Sequence, residues 1–303
     1  MKIKVKKIKN PIIVHSLSKF ELLKWDALWA YHPCVIQHGG MFYLLYSGKS
    51  MKWGISHGIG IAKSTDLKTW VKYSKKPILT AESSGWDSDF VAHGYVFKEG
   101  NTFFMLYDGS KKGRWREEIG LAQSRDLIHW EKYPNNPIFR AGSHWWENRH
   151  VSRCCLFKVN GWNFLFYAGH DGASERIGVA KGKTIFTFKR FLKEPVLDVG
   201  KRGEWDEKSI SDPRVIKYKD RFFMFYSGID RNGVERTGVA ISSNLSTWKK
   251  YEGNPILDIS EKSWDRISAT RADIKKFHGH YYIFYSGRKN YFYDIGIAKM
   301  EIT

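Results

Sequence analysis

The chain has 303 residues, 42% of them hydrophobic and 16% aromatic, enough apolar material for one large folded domain or two small ones. Lys and Arg number 50 against 31 Asp and Glu, a net charge of +19 that favours an anionic substrate or partner, although a lysine-rich solvated surface has the same sum. Three cysteines (Cys34, Cys154, Cys155) exclude a disulfide framework, and neither they nor the histidines have zinc-site spacing, so no metal and no cofactor is expected.

Residues 1–13 alternate charged and apolar side chains and lack the continuous apolar core of a signal peptide. No apolar run approaches the length that crosses a bilayer. The expectation is a cytoplasmic protein without a membrane partner.

Taken in order, the chain repeats one outline five times. A Trp-acid pair opens each unit: Trp25-Asp26, Trp86-Asp87, Trp146-Glu147, Trp205-Asp206 and Trp264-Asp265. A polar first strand follows, then a turn such as His38-Gly39-Gly40 or Asn160-Gly161, then an aromatic strand. That strand closes at Ser47-Gly48, Asp108-Gly109, Ala168-Gly169, Ser227-Gly228 and Ser286-Gly287, with the glycines 61, 60, 59 and 59 residues apart. The third-strand marker is Gly60-Ile61-Ala62, Gly120-Leu121-Ala122, Gly178-Val179-Ala180, Gly238-Val239-Ala240 and Gly296-Ile297-Ala298. A tight turn over 64–70, repeated over 124–130 and 243–248, leads to a fourth strand marked by Pro77-Ile78, Pro137-Ile138, Pro195-Val196 and Pro255-Ile256. The fifth copy of that marker, Asn10-Pro11-Ile12-Ile13, stands at the N-terminus, while the last unit stops after its third strand.

Four strands in each of five units predict an all-β protein, a single-domain five-bladed β-propeller. The blades span about 24–80, 85–140, 145–198, 204–258 and 263–299, the last completed by 10–14. The N-terminal strand then closes the ring and protects its edges.

Residues common to all blades are explained by the blade, so the five acids after tryptophan are read as turn-holders that accept backbone hydrogen bonds. The positions that differ carry the chemistry. First strands line the propeller axis, and six residues after each acid they hold His32, His93, Arg153, Asp212 and Arg271. Period-two alternation places Asp89, Arg149 and Lys208 nearer one rim, and Cys34, Tyr95, Cys155, Arg214 and Asp273 deeper. Two arrangements fit: an internal network in which Asp212 and Asp273 pair with Arg153, Arg214 and Arg271, or a cation-rich pocket for an anionic or polyhydroxylated group. Loops after the second strands add cations and flat side chains, among them Trp53, Trp115 and His170, which suit sugar stacking or plain solvation equally. Asp108 stands out as the one acid at the position before the strand-end glycine.

The five-fold YSG, IGIA, S-x-D-L-x-x-W and NPIL pattern resembles the propeller enzymes of glycoside hydrolase families 43 and 32 and the family 130 phosphorylases. The resemblance spans nearly the whole chain. For family 43 it implies a base in an Asp-Pro of the first blade, an acid-tuning Asp in the third and a Glu acid in the fourth. Here the matching residues are His32 (before Pro33), Arg153 and Asp212. The Asp212-Pro213-Arg214 run is similar to one that family 130 carries in an earlier blade, and the family 32 opening motif is absent. The resemblance therefore implies a carbohydrate substrate, with Asp212, Asp89 and Asp108 as candidate catalytic carboxylates. His32, His93, Arg153, Arg214, Arg271, Asp273, Trp53, Trp115 and His170 are candidate substrate-binding residues. Glycoside hydrolysis, phosphorolysis and binding of an acidic glycan without turnover all remain open. A nucleic-acid partner is not expected, since no RNA- or DNA-binding motif is present.

Overall fold

The computed structural model describes residues 1–16, 24–50, 57–73, 75–114 and 116–303, the side chains of Lys9 and Asn10 excepted. Trp53 and Trp115 lie outside the described residues. Among the described residues all regular structure is β, and no helix is long and apolar enough to cross a membrane.

The strands are, in chain order, β1 (Ile3–Ile13), β2 (Trp29–His38), β3 (Met41–Lys49), β4 (Gly58–Ser64), β5 (Val71–Lys72), β6 (Leu79–Thr80), β7 (Phe90–Glu99), β8 (Thr102–Ser110), β9 (Glu117–Ser124) and β10 (Glu131–Lys132). There follow β11 (His150–Val159), β12 (Trp162–His170), β13 (Glu175–Gly182), β14 (Lys189–Arg190), β15 (Ser209–Tyr218), β16 (Arg221–Ile229), β17 (Glu235–Ser242), β18 (Lys249–Lys250), β19 (Ser268–Phe277), β20 (His280–Lys289) and β21 (Phe292–Ile302).

β2–β3–β4, β7–β8–β9, β11–β12–β13, β15–β16–β17 and β19–β20–β21 are antiparallel meanders. A short strand extends each of the first four: β5 on β4, β10 on β9, β14 on β13 and β18 on β17. In the fifth, β1 takes that place on β21, with Lys7 opposite Ala298 as Lys72 is opposite Ala62. The Pro-Ile segments do not continue these short strands. They return to the same third strand as a separate touch, Leu79 on Ile59, Phe139 on Ile119, Leu197 on Ile177, Leu257 on Thr237 and, from β1, Ile13 on Ile295. The first strands are neighbours in a cycle: β2 meets β7, β7 meets β11, β11 meets β15, β15 meets β19, and β19 meets β2.

The repeated markers form one packing device. The tryptophan ring of each Trp-acid pair lies where the strand-end glycine has no side chain. A Cβ at Gly48, Gly109, Gly169, Gly228 or Gly287 would fall within 2.2–2.8 Å of Trp25, Trp86, Trp146, Trp205 or Trp264, respectively. In the first four units the third-strand glycine approaches the same ring, at Gly60, Gly120, Gly178 and Gly238. Real Cβ atoms do not come this close, so the glycines are there to admit the indole. Gly228→Ala should therefore lower stability by at least about 1–3 kcal/mol through overpacking against Trp205. Urea unfolding that returns the wild-type midpoint would refute this.

The acid of each pair is buried and structural, but it does not act through backbone donors as expected from sequence. It accepts from a strand tyrosine and pairs with a cation on the fourth strand. Asp26 binds Tyr46 Oη (3.0 Å) and Lys72 (2.6 Å); Asp87 binds Tyr107 (3.1 Å) and Lys132 (2.6 Å). Glu147 binds Tyr167 (2.8 Å) and Arg190 (2.5 Å); Asp206 binds Tyr226 (3.0 Å) and Lys250 (2.7 Å). Asp265 binds Tyr285 (3.1 Å), and its cation is Lys7 of β1. An unpaired charge this deep would cost several kcal/mol, so each acid demands its cation.

Candidate functional site

Every first strand is broken by a bulge at the same place, between Tyr31 and Cys34, Ala92 and Tyr95, Ser152 and Cys155, Ser211 and Arg214, and Thr270 and Asp273. The extra residue adopts a left-handed backbone in all five: His32 (φ 54°), His93 (58°), Arg153 (51°), Asp212 (56°) and Arg271 (54°). None is glycine, so each carries the conformational cost that non-glycine residues bear there. A bulge re-aims a side chain out of the regular pleat, and such strain accumulates at functional sites. The amides are fixed by the preceding unit in the cycle. His32 N–H donates to Ser286 Oγ (2.9 Å), His93 to Ser47 Oγ (2.8 Å), Arg271 to Ser227 Oγ (3.0 Å) and Arg153 to Asp108 Oδ2 (2.8 Å). The serine of the strand-end Ser-Gly is thus an anchor for the next unit's bulge, and Asp108 occupies that anchor position.

The re-aimed side chains meet. His32 and His93 lie with ring centroids 4.0 Å apart. His93 Nδ1 is 2.6 Å from Asp108 Oδ2. His32 Nε2 is 2.9 Å from Asp212 Oδ1, though neither atom has a well-aligned hydrogen bond. Asp212 also accepts from Ser211 Oγ (2.8 Å). The arginine pairing expected for Asp212 is not what forms: its close partner is His32, because third-strand glutamates take the arginines. Arg153 pairs with Glu175, and Arg271 with Glu235 at 2.7 Å. Glu235 also accepts from Arg288 (3.3 Å), Tyr293 Oη (3.2 Å) and Ser268 Oγ (3.1 Å).

Sequence reasoning missed those glutamates. Glu117, Glu175 and Glu235 all stand three residues before the third-strand glycine, where the other units have His57 and Tyr293. That position is polar in every unit, and this was the available signal.

Burial and charge divide the acids. Burial opposes ionisation of Asp212, but His32, Arg153 and Arg271 outweigh it and hold this carboxyl well below the usual range. Burial raises Asp108 well above that range, with Glu117 adding to the effect. Burial also raises Glu117, against the attraction of Arg153. The histidines are pushed toward neutrality: burial lowers His32 to about 4, and His93 well below its ordinary value. Carboxyls biased in opposite directions thus share a cluster, Asp212 toward the charged form and Asp108 and Glu117 toward the neutral one. Donor atoms of His93, Asp108 and Glu117 lie within 4.8 Å of one another, the grouping among the described residues that could hold a metal ion.

Glu117, Arg153 and Glu175 line a cleft of about 550 Å³ together with Arg149, Lys208 and His170, among others, while Asp212, Asp108, His32 and His93 are buried behind it. His170 stacks on His150 (4.4 Å between centroids). Arg214 and Asp273 are not brought to this cluster. They form a second buried layer in which Arg214 donates to the carbonyls of Cys154 (3.2 Å) and Pro213 (2.9 Å) and lies 3.8 Å from Asp273. Asp273 in turn accepts from Val35 N–H (2.7 Å) and pairs with Lys275 (3.5 Å). Asp89 is exposed, in the turn before β7, with Ser110 Oγ at 3.5 Å.

This fold is shared with glycoside hydrolases. A thermostable family-43 glycoside hydrolase superposes with a TM-score of 0.74 at 19% identity, over 90% of this chain and 90% of that one. Among curated proteins, an uncharacterized protein of Mycobacterium tuberculosis (strain CDC 1551 / Oshkosh) is 28% identical over 217 residues, 69% of either chain. A β-1,2-mannobiose phosphorylase of Thermoanaerobacter sp. (strain X514) is 23% identical over 94% of both chains. Residues 69–291 match the family described as glucosamine inositolphosphorylceramide transferase 1, N-terminal. The chain belongs to that family.

Proposed function

We propose that the chain is a single-domain five-bladed β-propeller, closed by β1, that cleaves a glycosidic bond in an anionic or polyhydroxylated glycan. The bulge residues are its active site. The cyclic contacts of the first strands and the seating of Lys7 in the fourth-strand place support the architecture. The observation that carries the activity is the opposed surroundings of neighbouring carboxyls: His32, Arg153 and Arg271 favour the charged form of Asp212, and burial favours the neutral form of Asp108 and Glu117. Glycosidic cleavage needs one carboxyl of each kind. Asp212 is the base or nucleophile; His32, His93, Arg153 and Arg271 orient the sugar. Arg149, Lys208 and Arg153 line the adjoining cleft and favour an anionic group there. The family description and the phosphorylase relative are both glycan-active by name, which supports a carbohydrate substrate.

The same cations favour a second reading, in which phosphate occupies the cleft and replaces water as the nucleophile. The match to the mannobiose phosphorylase along nearly its whole length supports it. The test is incubation with β-1,2-mannobiose, longer oligomannans, uronic-acid glycosides and sulfated glycosides, with and without phosphate. Free sugar without phosphate supports hydrolysis, and phosphate-dependent sugar 1-phosphate supports phosphorolysis. Binding without turnover across the set would reject both and leave a glycan-binding protein.

A further inference from the structure

The three third-strand glutamates are equivalent by sequence and unequal in their surroundings. Glu175 holds Arg153 and accepts from Ser209 Oγ (3.3 Å). Glu235 is held by Arg271, Arg288, Tyr293 and Ser268. Both are fixed counter-charges. Glu117 differs. Among the described residues no cation lies at ion-pair distance from it, and the Oε2 atom is buried with no hydrogen-bond partner. Arg153 is near enough to attract it, yet its guanidinium is engaged by Glu175. Glu117 is only 9% exposed, and it lines the cleft.

A buried carboxyl oxygen without a partner costs free energy unless a ligand meets it or a proton neutralises it. Glu117 therefore lines the cleft with no cation among the described residues holding its carboxyl, near the hydroxyl of Ser152. On its other side are His93 and Asp108, which offer no positive charge to expel its proton.

Resting on the reading of the chain as a glycosidic-bond-cleaving enzyme, we propose that Glu117 is the catalytic acid that protonates the leaving oxygen. The carboxyl proton passes to the glycosidic oxygen as its bond to the anomeric carbon breaks. The bond's electron pair leaves on that oxygen, which departs as an alcohol. In hydrolysis a water adds to the anomeric carbon and gives its proton to Asp212. Proton exchange with solvent then returns Asp212 to carboxylate and Glu117 to acid. In phosphorolysis inorganic phosphate adds instead, and Glu117 recovers its proton from solvent. Glu175 and Glu235 do not serve, because their oxygens are already engaged by Arg153 and by Arg271 and Arg288.

The test separates protonation from mere structure. Glu117→Gln is close to isosteric, and the wild type, E117Q and E175Q are assayed on two glycosides of the same sugar. One has an alkyl leaving group, and the other a dinitrophenyl group that departs without protonation. E117Q should lose about 10²–10⁴-fold on the alkyl glycoside and under about tenfold on the aryl one. E175Q should lose similarly on both. Equal losses for E117Q on the two substrates, or no loss on either, would overturn the assignment of Glu117 while the enzyme reading stands. Wild type inactive on every glycoside would overturn the enzyme reading, and the acid role with it. Turnover abolished by a chelator and restored by a divalent ion would assign Glu117 to metal binding instead. Should E117Q fail to fold, Glu117→Asp serves. Its pH–rate profile should shift on the alkaline limb, and an unshifted limb would reject the proposal.

Discussion

Asp212→Asn should reduce glycoside turnover by at least about 10²–10⁴-fold, the usual effect of removing a positioned base. The substitution keeps shape and hydrogen-bonding groups and removes only the charge. Ser211 Oγ can still donate to the amide oxygen, and the left-handed backbone at 212 is one that asparagine tolerates well. The loss should therefore appear in turnover and not in folding. What disappears is the one carboxylate held ionised in the cluster, through His32, Arg153 and Arg271. Without it the cluster loses the carboxylate assigned to accept a proton from water or to bond the sugar. The measurement is the steady-state rate of the variant on whichever glycoside the wild type cleaves, with near-ultraviolet circular dichroism to confirm packing. An unchanged rate would remove Asp212 from the chemistry.

The second large effect is a loss of stability as pH falls below about 6.5. Four histidines around the site are held neutral by burial: His32 at about 4, His57 and His150 each at about 3, and His93 well below its ordinary value. The unfolded chain protonates them as pH falls through about 6.5, and the folded chain does not. Stability from this source is present above that pH and is lost on acidification. Asp108 and Glu117 act oppositely. Burial raises both above their unfolded values, so they contribute stability at acid pH that is lost as pH rises through their folded values. Near pH 5 the unfolded chain protonates the four histidines while the folded chain keeps them neutral, and the two carboxyls offset part of this, so stability should fall on acidification. Above pH 6.5 the histidine contribution is constant and the two carboxyls dominate, so stability should decline as pH rises toward their folded values. Asp212 adds loss only below about pH 3.8. Denaturant midpoints between pH 4.5 and 8.5 test the sign on both sides. A midpoint flat from 6.5 to 5 would refute the acid limb.

The repeat was legible because the packing device that produces it has a distinctive composition. An indole wedged against a glycine tolerates few substitutes, so tryptophan and glycine recur at fixed spacing where Gly109 receives Trp86 and Gly169 receives Trp146. The bulge residues were legible for the opposite reason. They are the points at which a strand that should repeat does not. What could not be read was which partner each charge would choose. Nothing in the spacing says that Arg153 and Arg271 go to glutamates one strand away, leaving Asp212 to His32. Nor does it say that Arg214 and Asp273 close into their own layer. Pairing depends on side-chain reach across strands of different units, and strand periodicity describes only one strand at a time. Glu117 was hidden because the residue beside a strong glycine marker looks like part of that marker.

The seating of β1 beside β21 has a temporal consequence. Ile3–Ile13 is made before every other described strand, and its partner Phe292–Ile302 is made after them. The first four sheets can assemble as they emerge, each supplied with its own cation for its buried acid. Asp265 cannot, because Lys7 has already been synthesised but has nowhere to dock until β21 exists. The leading segment therefore waits as an unpaired strand through translation of nearly the whole chain. Lys2, Lys4, Lys6, Lys7 and Lys9 suit that wait, since like charges discourage an idle strand from pairing with a neighbouring molecule. Docking is then a clasp fastened only once β21 has formed.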